Sequence, residues 1–236
     1  MRAKDLSIVY GRHIIDVRVL YADRTTLEIA VHPDRSVVVK APRGKTSEEI
    51  RKRIDGRARW IVNQIDYFKQ FEPKTPSRRY VGGETHLYLG KRYRLKIEGA
   101  EINCVRLSRG YFRIMIAGEV APHRVKELLD TWYLEKARIK FHERLEVWRR
   151  FAETSRTMPR LQIKRMSKRW GSLSKQGALT LNADLIRAPM ECIDYVIVHE
   201  LCHLRHSNHG AEFYRLLESF LPGWEKRKHR LELTLL

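Results

Sequence analysis

The sequence predicts an α+β protein, with a strand-rich unit carrying one helix over residues 1–118 and a second, mainly helical unit over 119–236. Three observations carry this. Apolar and polar residues alternate through most of the first half, and after Gly118 the apolar residues recur every three or four positions. Within the second half, one helical stretch contains His199-Glu200-Leu201-Cys202-His203.

In the first forty residues the alternation is clearest over 14–20, 27–31 and 36–40, and Pro33-Asp34 reads as a hairpin turn between the last two. Thr46-Ser47-Glu48-Glu49 is a capping box, since a hydroxyl and a carboxylate three residues apart satisfy amides that the first helical turn leaves without partners. The helix it opens carries Ile50, Ile54, Ala58, Ile61, Ile65 and Phe68 on one face and a strongly basic face opposite, until Pro73 and Pro76 break it. Short strands follow around 86–89, 93–97, 102–107 and 111–116, turning at Gly90 and Gly110.

Pro122 starts a long helix, with Val125, Leu128, Leu129, Trp132, Ala137, Phe141, Leu145 and Trp148 spaced for burial, expected to reach Phe151. A small sheet is expected from residues 161–166, 170–174 and 178–182. Pro189 then opens the motif helix, with Glu191 and Asp194 near its positive end. A helix from Ala211 stops at Pro222-Gly223, and a basic, leucine-bearing helix follows. The residues show no internal repeat.

His199 and His203 lie one turn apart on the same side of a helix, so both imidazoles reach a single ion. His209 is the natural third ligand, because Ser207-Asn208 and Gly210 are turn formers that end the helix and bring the chain back. Three protein ligands leave a fourth position for water, which is the pattern of a catalytic zinc site with one Zn2+ per chain; imidazoles also accept cobalt, nickel or manganese. Glu200 is displaced around the helix from the ligands yet close enough to take a proton from such a water. With 10 His and 28 acidic residues in 236, the five-residue H-E-x-x-H pattern arises by chance only about 0.05 times. Cys202 falls between the ligand positions and reads as packing.

These residues imply a metal-dependent hydrolase. As a peptidase it needs a donor for the developing oxyanion, for which Tyr214, Tyr195 and Arg165 are candidates by position, and Trp170 is a candidate wall of the cleft. A metal-activated water also attacks phosphorus, so a nucleotide pyrophosphatase or phosphodiester hydrolase is the alternative. A basic nucleic-acid-associated protease or binding module is a further one.

Composition limits the partners. With 47 basic and 28 acidic residues the net charge is +19, which draws the chain toward nucleotides or nucleic acid as well as a peptide or protein substrate. The basic clusters are scattered along the sequence, and a dedicated groove requires them to converge in space. No apolar run is long enough for a membrane helix, and Asp16 and Arg18 interrupt the first hydrophobic region where a secretory signal would need an apolar stretch. Three cysteines, Cys104, Cys192 and Cys202, form no paired spacing. A cytoplasmic protein without disulfides is expected.

Several segments resemble the YgjP-like family of metal-dependent hydrolases, a zincin-type group related to Wss1-like and SprT-like proteases. They are Arg165-Met166-Ser167-Lys168-Arg169-Trp170-Gly171-Ser172, Leu181-Asn182, the run from Ile193 to Leu204, and Asn208-His209-Gly210-Ala211-Glu212-Phe213-Tyr214. Val39-Lys40-Ala41-Pro42-Arg43-Gly44, Trp60-Ile61 and the run from Tyr88 to Leu95 extend the likeness into the first half. The resemblance implies a zincin-like domain over 119–236 with a long backing helix, a small sheet and the H-E-x-x-H helix, zinc on His199, His203 and His209, and Glu200 as base. In zincins the strand before the motif helix receives substrate as an added strand, which implies that role for residues 178–182. The His-plus-ten spacing is that of metzincins, but His206 stands where they carry glycine, so their tight turn is not implied.

Overall fold

The computed structural model describes residues 3–32, 34–69, 78–149, 158–167, 169–174 and 176–235. It is an α+β protein whose contacts divide it into two compact units, Met1–Thr75 and Pro76–Leu235.

The first unit contains β1 (Ala3–Tyr10), β2 (His13–Ala22), β3 (Glu28–Val31) and β4 (Val37–Pro42) in the order β1-β2-β4-β3. The outer pairs are antiparallel and the central β2–β4 pair is parallel. The β3–β4 hairpin forms as expected, with the Asp34 carboxylate accepting the Ser36 amide at 3.0 Å. Alternate residues Val17, Val19, Val37 and Val39 are buried against Ile50, Ile54, Ala58 and Ile61. Those last four come from two helices, α1 (Ser47–Asp55) and α2 (Ala58–Lys69), where the sequence predicts one. The capping box at Thr46 and Glu49 is present, and α1 ends at Gly56, a residue costing about 1 kcal/mol in a helix interior.

The second unit begins with β5 (Thr85–Tyr88), β6 (Lys91–Ala100), β7 (Cys104–Ser108) and β8 (Tyr111–Ala117), ordered β5-β6-β8-β7. Its pairing repeats that of the first sheet: antiparallel, parallel, antiparallel. A long helix α3 (Pro122–Val147) follows, then a three-stranded sheet β10-β11-β9 formed by β9 (Arg160–Lys164), β10 (Gly171–Leu173) and β11 (Ala178–Asn182). A 3-10 turn, Ala183–Arg187, leads into α4 (Met190–Cys202), α5 (Ala211–Phe220) and α6 (Trp224–Leu235). No helix among the described residues is long and apolar enough to cross a membrane. The expected turn at Pro33, the breaks at Pro73 and Pro76, the helix end at Phe151 and Lys168 lie outside the described residues.

The compositional change at Gly118 is not where the units divide. Leu95, Phe112, Ile114 and Ile116 of the β5–β8 sheet share one core with Leu129 and Trp132 of α3 and Ile193 and Ile197 of α4. Phe112 meets Trp132 edge to face at 5.0 Å, and the Tyr133 hydroxyl donates to the Leu87 carbonyl at 2.7 Å. The β5–β6 turn also supports the motif helix. Gly90, at φ +77°, lies so close to Pro189 that a Cβ would stand 2.7 Å from its Cγ, and the Gly90 amide donates to the Arg187 carbonyl at 3.0 Å. Arg144 of α3 then grips Asp194 of α4 through two bonds of 2.7 and 2.8 Å. Residues 78–117 therefore belong with the site they support.

Candidate metal centre

Helix α4 is buried along almost its whole length, including Ile193, Val196, Ile197, Val198 and Leu201. His199 and Glu200 lie in its last turn, and His203 is the cap residue, so the helix ends four residues before the turn formers Ser207-Asn208. The His203 amide donates to the Glu200 carbonyl at 3.1 Å and the Leu204 amide to Leu201 at 3.0 Å, a tightening that winds up the last carbonyls. His209 follows on the return segment before α5.

The three imidazoles converge. Each offers a ligand nitrogen, and the three nitrogens lie within 4.8 Å of one another. Nε2 of His209 is 3.0 Å from Nε2 of His199. Nitrogens bonded tetrahedrally to one zinc at about 2.0–2.1 Å stand roughly 3.3 Å apart, so the spacing fits a divalent cation between them. Nδ1 of His203 is 2.9 Å from the His206 carbonyl, which fixes the ring and leaves its other nitrogen for the ion. His206 thus contributes its backbone. Phe213 of α5 is fully buried beneath the trio, with ring centroids 5.0, 4.8 and 4.6 Å from His199, His203 and His209.

Burial, and then the neighbouring His209, His203 and Lys228, push His199 down to about 3; burial with His203 and Lys228 lowers His209 as well. Neutral imidazoles are the ligand form. Cys202 is buried, and burial pushes its thiol up to about 12, the state of a packing residue.

Glu200 is 8% exposed. Its burial pushes it up to about 7, against the smaller opposing effects of a hydrogen bond from the Leu173 amide and the charge of Arg169. The carboxylate packs on Gly171, where a Cβ would stand 2.8 Å from Glu200 Cγ, 2.9 Å from its Oε1 and 2.9 Å from Val196 Cγ1. Gly171→Ala is expected to displace the carboxylate and cut hydrolysis about a hundredfold with metal content unchanged; full activity in that variant removes the cradle from the account.

Because Glu200 sits above its ordinary 4.5, the folded chain holds its proton more tightly than the unfolded chain, and the charged form opposes folding. That penalty is complete above pH 7 and vanishes below about 4.5. Metal-free Glu200→Gln is therefore expected to exceed the unsubstituted chain in stability by about 3 kcal/mol at pH 8, the gap closing as the pH falls to 4.5, by urea titration at each pH. A gap that does not vary with pH contradicts the burial cause.

Of the other sequence candidates, Trp170 and Tyr195 line a cavity of about 170 Å³ together with His199 and Glu200. Tyr195 is buried and its ring lies 5.7 Å from that of His199; burial raises its phenol, which keeps its proton. Tyr214 stacks on Trp224 at 5.2 Å and is 39% exposed. Arg165 is the correction: it pairs with Asp130 of α3 at 2.6 Å and does not line the cavity. The expected substrate strand is corrected too, because β11 is paired on both sides, by β10 and by β9. The edge beside the cavity is β10. Its Trp170 carbonyl and Ser174 amide bond β11 at 2.8 and 2.9 Å, so by alternation the backbone groups of Gly171 and Leu173 face outward.

Gly171, the Leu173 amide and Phe213 were not legible as site elements, since each acts through backbone or packing. Buried Asn182 is another, donating to the carbonyls of Met166 and Arg169 at 2.7 and 3.0 Å and so anchoring the segment that delivers Trp170 and Gly171.

A buried helix presenting two histidines and a carboxylate, completed by a histidine from the return segment and flanked by a strand edge, defines a metallopeptidase-type domain. The YgjP-like metallopeptidase domain profile matches residues 25–234, and the chain belongs to that family, which implies a divalent metal. Among solved structures, the chain is similar to the metallopeptidase zymogen of Pyrococcus abyssi abylysin, with 25% identity over 39% of this chain and 90% of that one and a TM-score of 0.35. No curated protein matches.

Proposed function

We propose that the chain is a zinc-dependent peptidase, with one Zn2+ held by His199, His203 and His209 and with Glu200 as the proton-transfer residue. The observation that carries this is the gathering of three imidazole nitrogens within 4.8 Å beside a buried carboxylate. Zinc in that position supplies a water acidified toward neutrality and an electrophile for the scissile carbonyl. The substrate backbone pairs with the outward groups of Gly171 and the carbonyl of Leu173 on β10, the Leu173 amide being taken by Glu200. Glu200, oriented by the Leu173 amide, accepts the proton of the attacking water and passes it to the leaving nitrogen as the C–N bond breaks, giving a carboxylic acid and an amine. Tyr195, held protonated by burial, donates to the developing oxyanion.

A polyphosphate fits this cavity poorly, because two carboxyl groups, Glu200 and Glu232, line it against a single cation, Lys228. The test is incubation of the purified protein with casein or short peptides and, separately, with nucleoside triphosphates, each with and without a zinc chelator. Chelator-sensitive peptide cleavage is expected; phosphate release without peptide cleavage overturns the reading.

A phosphate-bearing partner is favoured at a different place. In the first unit Lys52, Arg53 and Arg57 line a cavity of about 490 Å³ together with Lys45 and Glu49, which pair with each other, leaving a net positive rim. Replacing Lys52, Arg53 and Arg57 with Ala is expected to weaken binding of a labelled oligonucleotide about tenfold and to flatten its salt dependence by about one unit of slope per lost phosphate contact. An unchanged slope sinks this partner.

A further inference from the structure

Helix α6 contributes to the cavity beside His199 and Glu200 through Lys228, Leu231 and Glu232, although its sequence is mostly basic. Glu232 is anomalous. Its Oε2 is buried and has no hydrogen-bond partner, and burial alone pushes the carboxyl up to about 7. Other partly buried acids of this unit are answered by a cation: Asp130 by Lys126 and Arg165, Asp194 by Arg144, Arg230 meeting Glu191. In a chain with 47 Lys and Arg residues, a carboxylate left without one beside the reacting centre is a costly arrangement unless something else completes it.

We propose that Glu232 is the recognition carboxylate of a subsite for a cationic group of the substrate, an ammonium or guanidinium next to the bond that is cut. The proposal rests on the peptidase reading above and names the substrate class for that site. Trp170 and Tyr195 supply aromatic walls that attract a cation, and Leu231 supplies an apolar surface for an alkyl stem. The volume, about 170 Å³, is close to the roughly 150 Å³ of an engineered cavity that admits benzene, so it suits a single side chain of lysine or arginine size. Lys228, one helical turn before Glu232 on α6, also lines the cavity, but no hydrogen bond reaches the buried Glu232 Oε2.

The cation has two possible sources, a lysine or arginine side chain or the free amino terminus of a short peptide. Matched peptides carrying lysine or norleucine next to the scissile bond, each with a free and an acetylated amino terminus, separate them. The unsubstituted enzyme is expected to favour one cationic form about thirtyfold in kcat/KM, chiefly through KM. Glu232→Gln is expected to reduce that preference to within threefold, and Glu232→Lys to shift it toward a glutamate side chain. A second readout needs no hydrolysis: butylammonium and butylguanidinium should bind the metal-free protein, by calorimetry, with at least tenfold loss in Glu232→Gln. Enzyme that cleaves peptides with no preference for a cation, or a Gln variant that keeps the preference, overturns the proposal. If no peptide is cleaved, the peptidase reading fails, and cation binding to the metal-free chain still decides the role of Glu232.

Discussion

Glu200→Gln is expected to lower kcat/KM for peptide hydrolysis by about a thousandfold while the protein keeps its full equivalent of metal. General acid–base transfer contributes roughly 10²–10⁴ to such reactions, and the proposed mechanism gives Glu200 two transfers, from the water and to the amine. The substitution preserves shape, so a glutamine oxygen can still accept the Leu173 amide and Gly171 still accommodates the side chain. Only the proton acceptor is removed. Metal content by atomic absorption and cleavage of a fluorogenic peptide make the test, and a variant within tenfold of the parent would show that another group moves the proton.

The second large effect is expected at His209. Unlike His199 and His203, which α4 fixes, His209 is exposed and reaches the cluster from the return segment. A four-ligand structural zinc site binds with about 10–16 kcal/mol, so one imidazole is worth about 3 kcal/mol and its loss weakens binding about a hundredfold. His209→Ala should therefore lose metal on dialysis that leaves the parent loaded. The parent should also gain thermal stability on adding zinc, as binding to the folded state requires, and the variant should gain far less. An alanine variant that binds zinc as tightly as the parent disproves the three-histidine site.

The reach of sequence reasoning follows from how each residue acts. The histidine pair, Glu200 and the third histidine were legible because their spacing is a side-chain pattern set by helix geometry. The paired strands and the capping box at Thr46 were legible for the same reason, as local rules of alternation and end satisfaction. Gly171 was not, because its role is the absence of an atom, and Leu173 acts through an amide that every residue but proline has. Glu232 was hidden within a helix whose charge reads as solvated. The boundary at Gly118 failed because composition reports local helix and strand tendency, whereas a unit is defined by what its buried face meets, and the face with Phe112 and Ile114 meets α3. Arg165 and residues 178–182 were assigned from order along the chain, and neither the Asp130 pairing nor the central position of β11 is visible there.

The shared pairing pattern of β1–β4 and β5–β8 has a kinetic consequence. Every pairing in those sheets joins strands near one another in sequence, so little chain entropy is lost in closing the intervening loops, and such topologies form fast. The histidine cluster is closer still in sequence, but α4 is apolar along its length and is held by burial, since its Ile193 and Ile197 share the core of Phe112 and Ile114. Assembly should run from scaffold to chemistry, with nascent protein unable to capture metal until its sheets have formed; pulsed amide labelling that finds α4 protected before β6 and β8 would reverse that order.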